Sequence, residues 1–436
     1  MRRRRFLRVY LPALLLAGGV AYGLVSWDRC GIWGSGEVRV TTGASEGTLA
    51  VGVGTALIPQ PPSVVVAGFP PPRPDATRAA LPLAARALVL RVGTARVGLV
   101  ALELLTLPES LLAPVRRAAA ELGLSDVWVA STHTHSSMGG YDPGLLSEIV
   151  ATGLYRQEIE AAAVNAALQA LREASGSLVP AKLEVGEAHV EGLAMARDDE
   201  PDTDDRVLLA RFRAESGKPL GELILLSLHP TLHPRGLAEL SPDYPGHLAA
   251  LRQEAGFVAL VLQSAGGNAT ASLGDSPLAP TKRASFMAGE LSKRLEAVTP
   301  KETAVTRLAF ARATVPLPRP DASRLVPAFL RPAGDNFFCT FAPRHAEVSV
   351  WAVGPLRLLA LPGEPTRAAG TQLEAATQAR PLALANGYLG YFNTSEHVRL
   401  RSAESGRQYY GPSLLEALEK AARLASKRLE DAAAVP

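Results

Sequence analysis

An α/β fold, with a mixed sheet buried on both faces and helices around it, follows from three features of the 436-residue sequence. Apolar runs of strand length recur along the chain, and they are near-continuous rather than alternating, which marks strands covered on both sides. Stretches with helical spacing separate several of them, the pattern of a layered α/β body. The composition, 47% apolar and 20% charged, is that of an ordinary globular protein, with no low-complexity segment.

The elements fall in order. The first ten residues carry Arg2–Arg5 and Arg8, and Val9–Trp27 is an uncharged, mostly apolar run. A positive flank before such a run reads as a targeting segment: an N-terminal membrane anchor over residues 1–30 with the body exported, or a cleaved signal peptide. No small-x-small cleavage site is evident, which favours the anchor. Residues 31–48, rich in glycine, read as a tether. From Leu49 onward no linker composition interrupts the chain, so 49–436 is expected to be one domain.

Within it, strands are expected over Ala87–Val92, Val97–Leu105, Val127–Ser131, Leu183–Gly186, Val207–Phe212, Leu223–His229, Val258–Gln263, Val305–Val315, Val348–Leu361 and Leu382–Leu389. The long runs Val305–Val315 and Val348–Leu361 should pair antiparallel, which makes the sheet mixed. Helices are expected over Glu109–Leu122, Leu145–Ala174, Tyr244–Gly256, Ala284–Ala297, Thr366–Ala379 and Ser413–Glu430, the last preceded by Pro412.

Charge and cysteine content exclude some functions. The formal net charge is +3, but five arginines lie in the first eight residues, leaving 3 − 5 = −2 for the rest. No basic face with interleaved aromatics remains, so nucleic acid is not an expected partner. The two cysteines, Cys30 and Cys339, could pair in an oxidising compartment, yet they form no disulfide framework and no Cys-rich zinc pattern. Any metal must therefore be held by histidine, carboxylate or phenol.

The chemistry-bearing residues sit at strand ends, where ligand crevices of α/β sheets open. Ser131-Thr132-His133-Thr134-His135 follows the strand ending at Ser131. Residues two apart in a strand share a face, so the two imidazoles are expected to converge as metal ligands or as ligand and proton carrier. A pair of polar turn histidines is the other reading. His229 ends an apolar strand before Pro230, and either faces the crevice or bonds a loop carbonyl. His233, Asp243 and Tyr244 follow. Gln263-Ser264-Ala265-Gly266-Gly267-Asn268-Ala269-Thr270 places glycines where backbone can approach a ligand, or is simply a flexible turn. Glu364, in Pro362-Gly363-Glu364-Pro365-Thr366, is a metal ligand or a charge that complements a helix N-terminus. Tyr388 and Tyr391 end another apolar stretch; tyrosines in such places are usually packing residues. The sharing of one structural position by His, His, Glu and Tyr is what a single crevice would produce.

The order of these motifs resembles the catalytic domain of the neutral/alkaline, non-lysosomal ceramidases. The resemblance runs through Val51–Gly54, Gly68–Pro70, Thr132–Ser136, Leu228–Pro230, Gly266–Ala271, Gly363–Thr366, Tyr391–Thr394 and Tyr410–Pro412. It implies that His133, His229, Glu364 and Tyr391 hold one zinc ion, with His135 beside the metal and Arg197 as the active-site arginine. The implied reaction is hydrolysis of the N-acyl amide of ceramide or a related lipid by a zinc-activated water. Arg197, His135 and zinc would stabilise the oxyanion.

The sequence departs from the family in three places. Thr270, expected as a catalytic hydroxyl, stands where the family carries a serine important for activity, with Asn268 for a neighbouring aspartate. Ala403 falls where an active-site tyrosine is expected, leaving Tyr409 or Tyr410 as substitutes. The family's C-terminal β-sandwich is expected to be absent. A zinc-dependent esterase or deacylase on another substrate, and an envelope binding protein that has lost activity, are the alternative readings. Neither Gly-x-Ser-x-Gly nor His-Glu-x-x-His occurs.

Overall fold

A computed structural model describes residues 11–28, 30, 31, 33, 34, 36–197 and 203–434. The arginines before residue 11 and the start of the apolar run lie outside the described residues. What is described is a helix, α1 (Leu11–Ser26), of 16 residues. At 1.5 Å per residue it extends about 24 Å, short of the ~30 Å hydrocarbon core. Among the described residues no helix is long and apolar enough to cross a membrane, so the expected span is not supported.

The tether reading also changes. Residues Arg39–Glu46 form β1, an edge strand. Cys30 is fully buried and disulfide-bonded to Cys339 across 309 residues of sequence, which pins the chain ahead of β1 to the body.

The strands then run β2 (Leu49–Leu57), β3 (Ala84–Val92), β4 (Ala95–Leu102), β5 (Asp126–Ser131), β6 (Val179–His189), β7 (Ala194–Ala196), β8 (Arg206–Ala214) and β9 (Pro219–Leu226). They continue with β10 (Val258–Gln263), β11 (Ala269–Ala271), β12 (Lys301–Thr303), β13 (Arg307–Pro316), β14 (His345–Val353), β15 (Leu356–Ala360), β16 (Glu364–Pro365), β17 (Arg380–Leu382) and β18 (Tyr391–Phe392). The larger sheet has the order β10-β9-β8-β6-β2-β3-β4-β5, with β12 against β6; the smaller is β1-β13-β14-β15-β17. Both are mixed: β4–β5, β9–β10 and β15–β17 are parallel pairs, the others antiparallel.

The sequence suggested one sheet between helices; the described residues form two large sheets, packed face to face. Along β3, Ala85, Ala87 and Val89 face one core and Leu88, Leu90 and Val92 another. The first core lies under helices α2 (Glu109–Glu121) and α3 (Gln157–Gly176). The second joins the larger sheet to Leu308, Phe310, Trp351 and Val353 of the smaller, where Trp128 and Trp351 stack with centroids 3.8 Å apart. Helices α4 (Asp243–Glu254) and α5 (Arg283–Ala297) cover the β9–β10 end. After α6 (Arg331–Phe341), helices α7 (Arg367–Thr377) and α8 (Leu414–Ala434) cover the outside of the smaller sheet. A strand between helices and an opposing sheet is apolar on both faces, the same signal as a strand between two helical layers.

Three expected elements are split. Val348–Leu361 is the hairpin β14–β15, turning at Gly354 with φ +57°. The helical run Leu145–Ala174 breaks at Gly153 (φ +76°), and the long helix begins only at Gln157. Leu382–Leu389 is strand only at its start; beyond it, Leu384 and Asn386 have positive φ, and the segment crosses from one sheet to the other. There Ala383 N–H donates to Gln263 O at 2.9 Å and Asn386 N–H to Val129 O at 2.8 Å. Asn386 Oδ1 accepts from Val129 N–H at 3.0 Å. This crossing ties the C-terminal ends of β5 and β10 to the smaller sheet.

Candidate metal centre

At that junction the strand-end residues meet. His133, His135 and His229 present ligand atoms within 4.8 Å of one another, and a metal ion could be held there. His133 Nε2 lies 3.2 Å from His229 Nε2 and 3.3 Å from His135 Nε2. Glu364 Oε2 is 2.9 Å from His229 Nε2 and 3.2 Å from His133 Nε2. The Tyr391 hydroxyl stands 3.3 Å from His229 Nε2.

The two histidines of the Thr-His-Thr-His run do not converge by strand alternation, because β5 ends at Ser131. They lie in the turn beyond it. His133 has φ +70°, an unusual conformation for a non-glycine residue and one that clusters at functional sites. That turn brings the two rings edge to face, 4.8 Å apart. His135 is gripped by the Gly68–Pro70 loop: its Nδ1 donates to Gly68 O at 2.7 Å, and its ring lies 5.2 Å from that of Phe69. Gly68 has φ +110° and a Cβ there would sit 2.4 Å from His135 Cα, so only glycine fits.

His229 follows β9, and its Nδ1 faces Gly266 O at 2.9 Å and Ala269 O at 3.1 Å. The glycine loop after β10 therefore orients this ring. Gly267 packs against the backbone of Glu364 and Pro365, where a Cβ would be 2.8 Å from Glu364 O. The two-residue strands β16 and β18 pair in parallel with Glu364 directly opposite Tyr391, which sets these two side chains side by side.

The hydrogen-bond inventory reveals the chemistry. A carbonyl only accepts, so His133, with Nδ1 2.8 Å from Leu105 O, carries its proton on Nδ1, as do His135 and His229. All three Nε2 atoms are then lone-pair acceptors pointing at one another and at a carboxylate oxygen. Glu364 Oε2 is buried with no hydrogen-bond donor among the described residues. Among the described residues only His229 Nε2 has donors near it, the Tyr391 hydroxyl at 3.3 Å and Arg197 Nη2 at 3.4 Å. Buried acceptors crowded together without hydrogens are unstable unless a cation sits among them. Imidazoles with one carboxylate are a donor set for a divalent transition metal.

The electrostatics agree. Burial pushes the His229 imidazole down to about 4, and burial followed by the neighbouring histidines pushes His135 well below its ordinary value. Both rings are neutral near pH 7, the form that ligates metal. Burial pushes the Tyr391 phenol up.

The other residues singled out by sequence fall in different places. Arg197 reaches the cluster: its Nη2 donates to Tyr391 Oη at 3.0 Å and to Gly267 O, and its Nε is 3.4 Å from Glu404. Thr270 lies in β11, where its hydroxyl meets that of Thr231 at 3.2 Å and not a histidine. Asn268 is structural, its Oδ1 accepting from Arg367 N–H at 2.8 Å. Asp243 accepts from the backbone N–H of His233 at 2.8 Å, and Tyr244 donates to Leu228 O; both are buried outside the cluster. Ala403 opens a short turn with φ +51° and carries no phenol.

Neither Tyr409 nor Tyr410 replaces that phenol. Tyr409 stacks on Phe338, and Tyr410 donates to Pro343 O at 2.6 Å. The tyrosine that sequence reasoning treated as packing is the one that engages: Tyr388 donates to Glu364 Oε1 at 2.6 Å. Arg407, also missed, donates to Tyr391 Oη at 3.2 Å and pairs with Glu404 at 3.1 Å. Tyr388 stood only three residues from Tyr391, and that spacing was the one available signal. Nothing in the sequence marked Arg407.

Comparison with known proteins agrees with the resemblance. Residues 51–256 match the family model for neutral/alkaline non-lysosomal ceramidase, N-terminal. The structure of neutral ceramidase from Pseudomonas aeruginosa is similar, with a TM-score of 0.71 and 19% identity, covering 88% of this chain and 75% of that one. A structure described as a ceramidase complexed with C2 gives a TM-score of 0.74 at 19% identity, covering 88% of this chain and 76% of that one. At such identity these structures show the shared fold. No curated protein matches the sequence.

Proposed function

We propose that this protein is a zinc-dependent amidase that hydrolyses the N-acyl bond of ceramide or a related lipid amide. The observation that carries it is the set of buried acceptors, His133 Nε2, His135 Nε2, His229 Nε2 and Glu364 Oε2, gathered with no hydrogen for the carboxylate oxygen. His133, His229, Glu364 and Tyr391 would hold the metal, their rings oriented by carbonyls of Leu105, Gly266 and Ala269 and their carboxylate by Tyr388. When bound there, zinc acidifies a water and polarises a carbonyl oxygen.

The chain's own groups do the rest. Hydrolysis needs a water oxygen to add to the carbonyl carbon, the C–N bond to break, and one proton to reach the departing nitrogen. Neutral His135, locked by Gly68 O with Nε2 free, accepts the water proton and delivers it to the amine. Arg197, held by Gly267 O and Glu404, keeps a fixed positive charge beside Tyr391 that offsets charge growing on the carbonyl oxygen. Burial of His133, His229, Glu364 and Tyr391 lowers the local dielectric, which strengthens both effects.

The test is metal content and turnover of the purified protein and of His229→Ala. One zinc per chain and cleavage of long-chain N-acyl sphingosine, both lost in the variant, are expected. Stoichiometric zinc retained by His229→Ala, or cleavage of short N-acyl amines with none of N-acyl sphingosine, would reject the metal assignment or the lipid substrate respectively.

A further inference from the structure

The run Ser241-Pro242-Asp243-Tyr244, which no step of the hydrolysis uses, is bonded to the turns that carry all three histidines. It is buried throughout, and Asp243 has φ +52°, as unusual for a non-glycine residue as the conformation of His133. On the His135 side, Ser241 N–H donates to Ser136 O at 2.8 Å, and Thr134 Oγ1 donates to Ser241 O at 2.8 Å. On the His229 side, the Tyr244 hydroxyl donates to Leu228 O, and Asp243 Oδ2 accepts from His233 N–H at 2.8 Å. Towards His133 the link runs through Gln263, the last residue of β10. Its Nε2 donates to the Tyr244 hydroxyl at 3.0 Å and to Thr132 O at 3.4 Å.

A phenol has one hydrogen to give and a primary amide nitrogen has two; here each goes to its own acceptor. Tyr244 and Gln263 thereby join the carbonyls of Leu228 and Thr132, the residues immediately before His229 and His133. A peptide unit is planar, so a bond to the carbonyl of one residue fixes the N–Cα direction of the next. The other edge of each unit is held too, His229 N–H by Ala269 O at 3.2 Å and His133 N–H by Leu104 O at 3.0 Å. Strands β5 and β9 do not pair with each other. One is an edge of the larger sheet and the other lies next to the opposite edge, so no ladder sets the separation of the two histidines.

We infer that Tyr244 is a positioning residue for the metal centre, its hydroxyl setting the separation of His133 and His229 through Leu228 O and Gln263. The inference rests on the metal reading of the cluster and adds to it the group that holds the two rings in place. Metal–ligand distances are defined to about 0.2 Å, so turns that leave unpaired strands need a common brace.

The test uses the full chain loaded with cobalt(II), whose visible absorption reports the geometry of its ligands. Band positions and the cobalt dissociation constant are measured for the wild-type protein, Tyr244→Phe, Gln263→Met and Tyr410→Phe. Tyr410 is the control, likewise a buried phenol that donates to a carbonyl, Pro343 O at 2.6 Å, but apart from the cluster. Tyr244→Phe and Gln263→Met should each shift the bands and weaken cobalt binding about 10–100-fold. Tyr410→Phe should keep the wild-type spectrum and affinity. Wild-type spectrum and affinity in either site variant, or an equal change in Tyr410→Phe, would overturn the inference. Should Tyr244→Phe not fold, Gln263→Met decides alone, because it deletes both amide donors at nearly constant volume. A wild-type protein that takes up no cobalt overturns the metal reading and this inference together, whereas a spectrum indifferent to the variants overturns this inference only.

Discussion

Two buried carboxylates, Glu222 and Glu364, sit about equally deep in the molecule and have opposite surroundings. Glu222, in β9, is fully buried and answered by charge: Arg211 Nε reaches it at 2.8 Å, Arg252 Nε at 2.8 Å and Arg252 Nη2 at 3.0 Å. Every oxygen of that cluster has its hydrogens. Glu364 is 3% exposed, and its Oε2 faces two imidazole nitrogens that themselves lack protons. A buried polar cluster that satisfies itself is part of the scaffold, whereas one that remains acceptor-rich is built for something the chain does not contain. The comparison separates structure from function without reference to any relative.

The sharpest break in that comparison comes from Glu364→Gln. Hydrolysis should fall by roughly a thousandfold or more and bound metal should drop below one per chain, read by turnover and by elemental analysis. The fold should persist, seen by circular dichroism, since the variant removes the charge while leaving an amide oxygen to accept from Tyr388. Glu222→Ala should do the reverse. It strands Arg211 and Arg252 and should cost about 3–5 kcal/mol in denaturant unfolding, while turnover per folded molecule stays unchanged.

Asp243 is an intermediate case, a buried acid answered only by backbone N–H groups. Burial pushes its carboxyl up to about 6, against an ordinary 3.8. A raised acid favours the protonated fold, so its contribution is complete below pH 3.8 and is lost as pH rises through about 6. Between pH 4 and 7 the protein should lose on the order of 3 kcal/mol relative to Asp243→Asn, measured as the difference in pH slope of unfolding free energy. Parallel slopes would remove Asp243 from the account. The smallest effect is expected at Tyr388→Phe, which frees Glu364 Oε1 without touching the donors themselves. Metal affinity or turnover should fall about 10–100-fold with the melting temperature little altered.

Much of the fold was legible because local signals and burial coincide. Val258–Gln263 is a strand with the expected bounds, and Glu109–Leu122 and Ala284–Ala297 are helices to within a residue. The number of sheets was not legible, since Val89 and Leu90 look equally apolar whether helix or sheet covers them. The tight turn at Gly354 hid inside a continuous apolar run, and the strand Arg39–Glu46 hid in a polar, glycine-containing stretch that pairs only because β13 offers an edge. In the site, each of His133, His229, Glu364 and Tyr391 could be noticed as a chemistry-bearing residue just past an apolar strand. The bond of Tyr388 to Glu364, that of Arg407 to Tyr391 and the pairing of Arg197 with Glu404 could not, because those partners are distant in sequence.

Periodicity, turn residues and the kinds of side chain placed at strand ends were determined by the sequence alone, since they depend on neighbours a few positions away. Which carbonyl fixes each imidazole tautomer, and hence that the Nε2 lone pairs and Glu364 Oε2 converge without protons, was decided only by tertiary structure. The reason is geometric: proton placement depends on contacts such as His229 to Gly266, 37 residues apart, and His133 to Leu105, 28 apart, that exist only once two sheets have closed on each other.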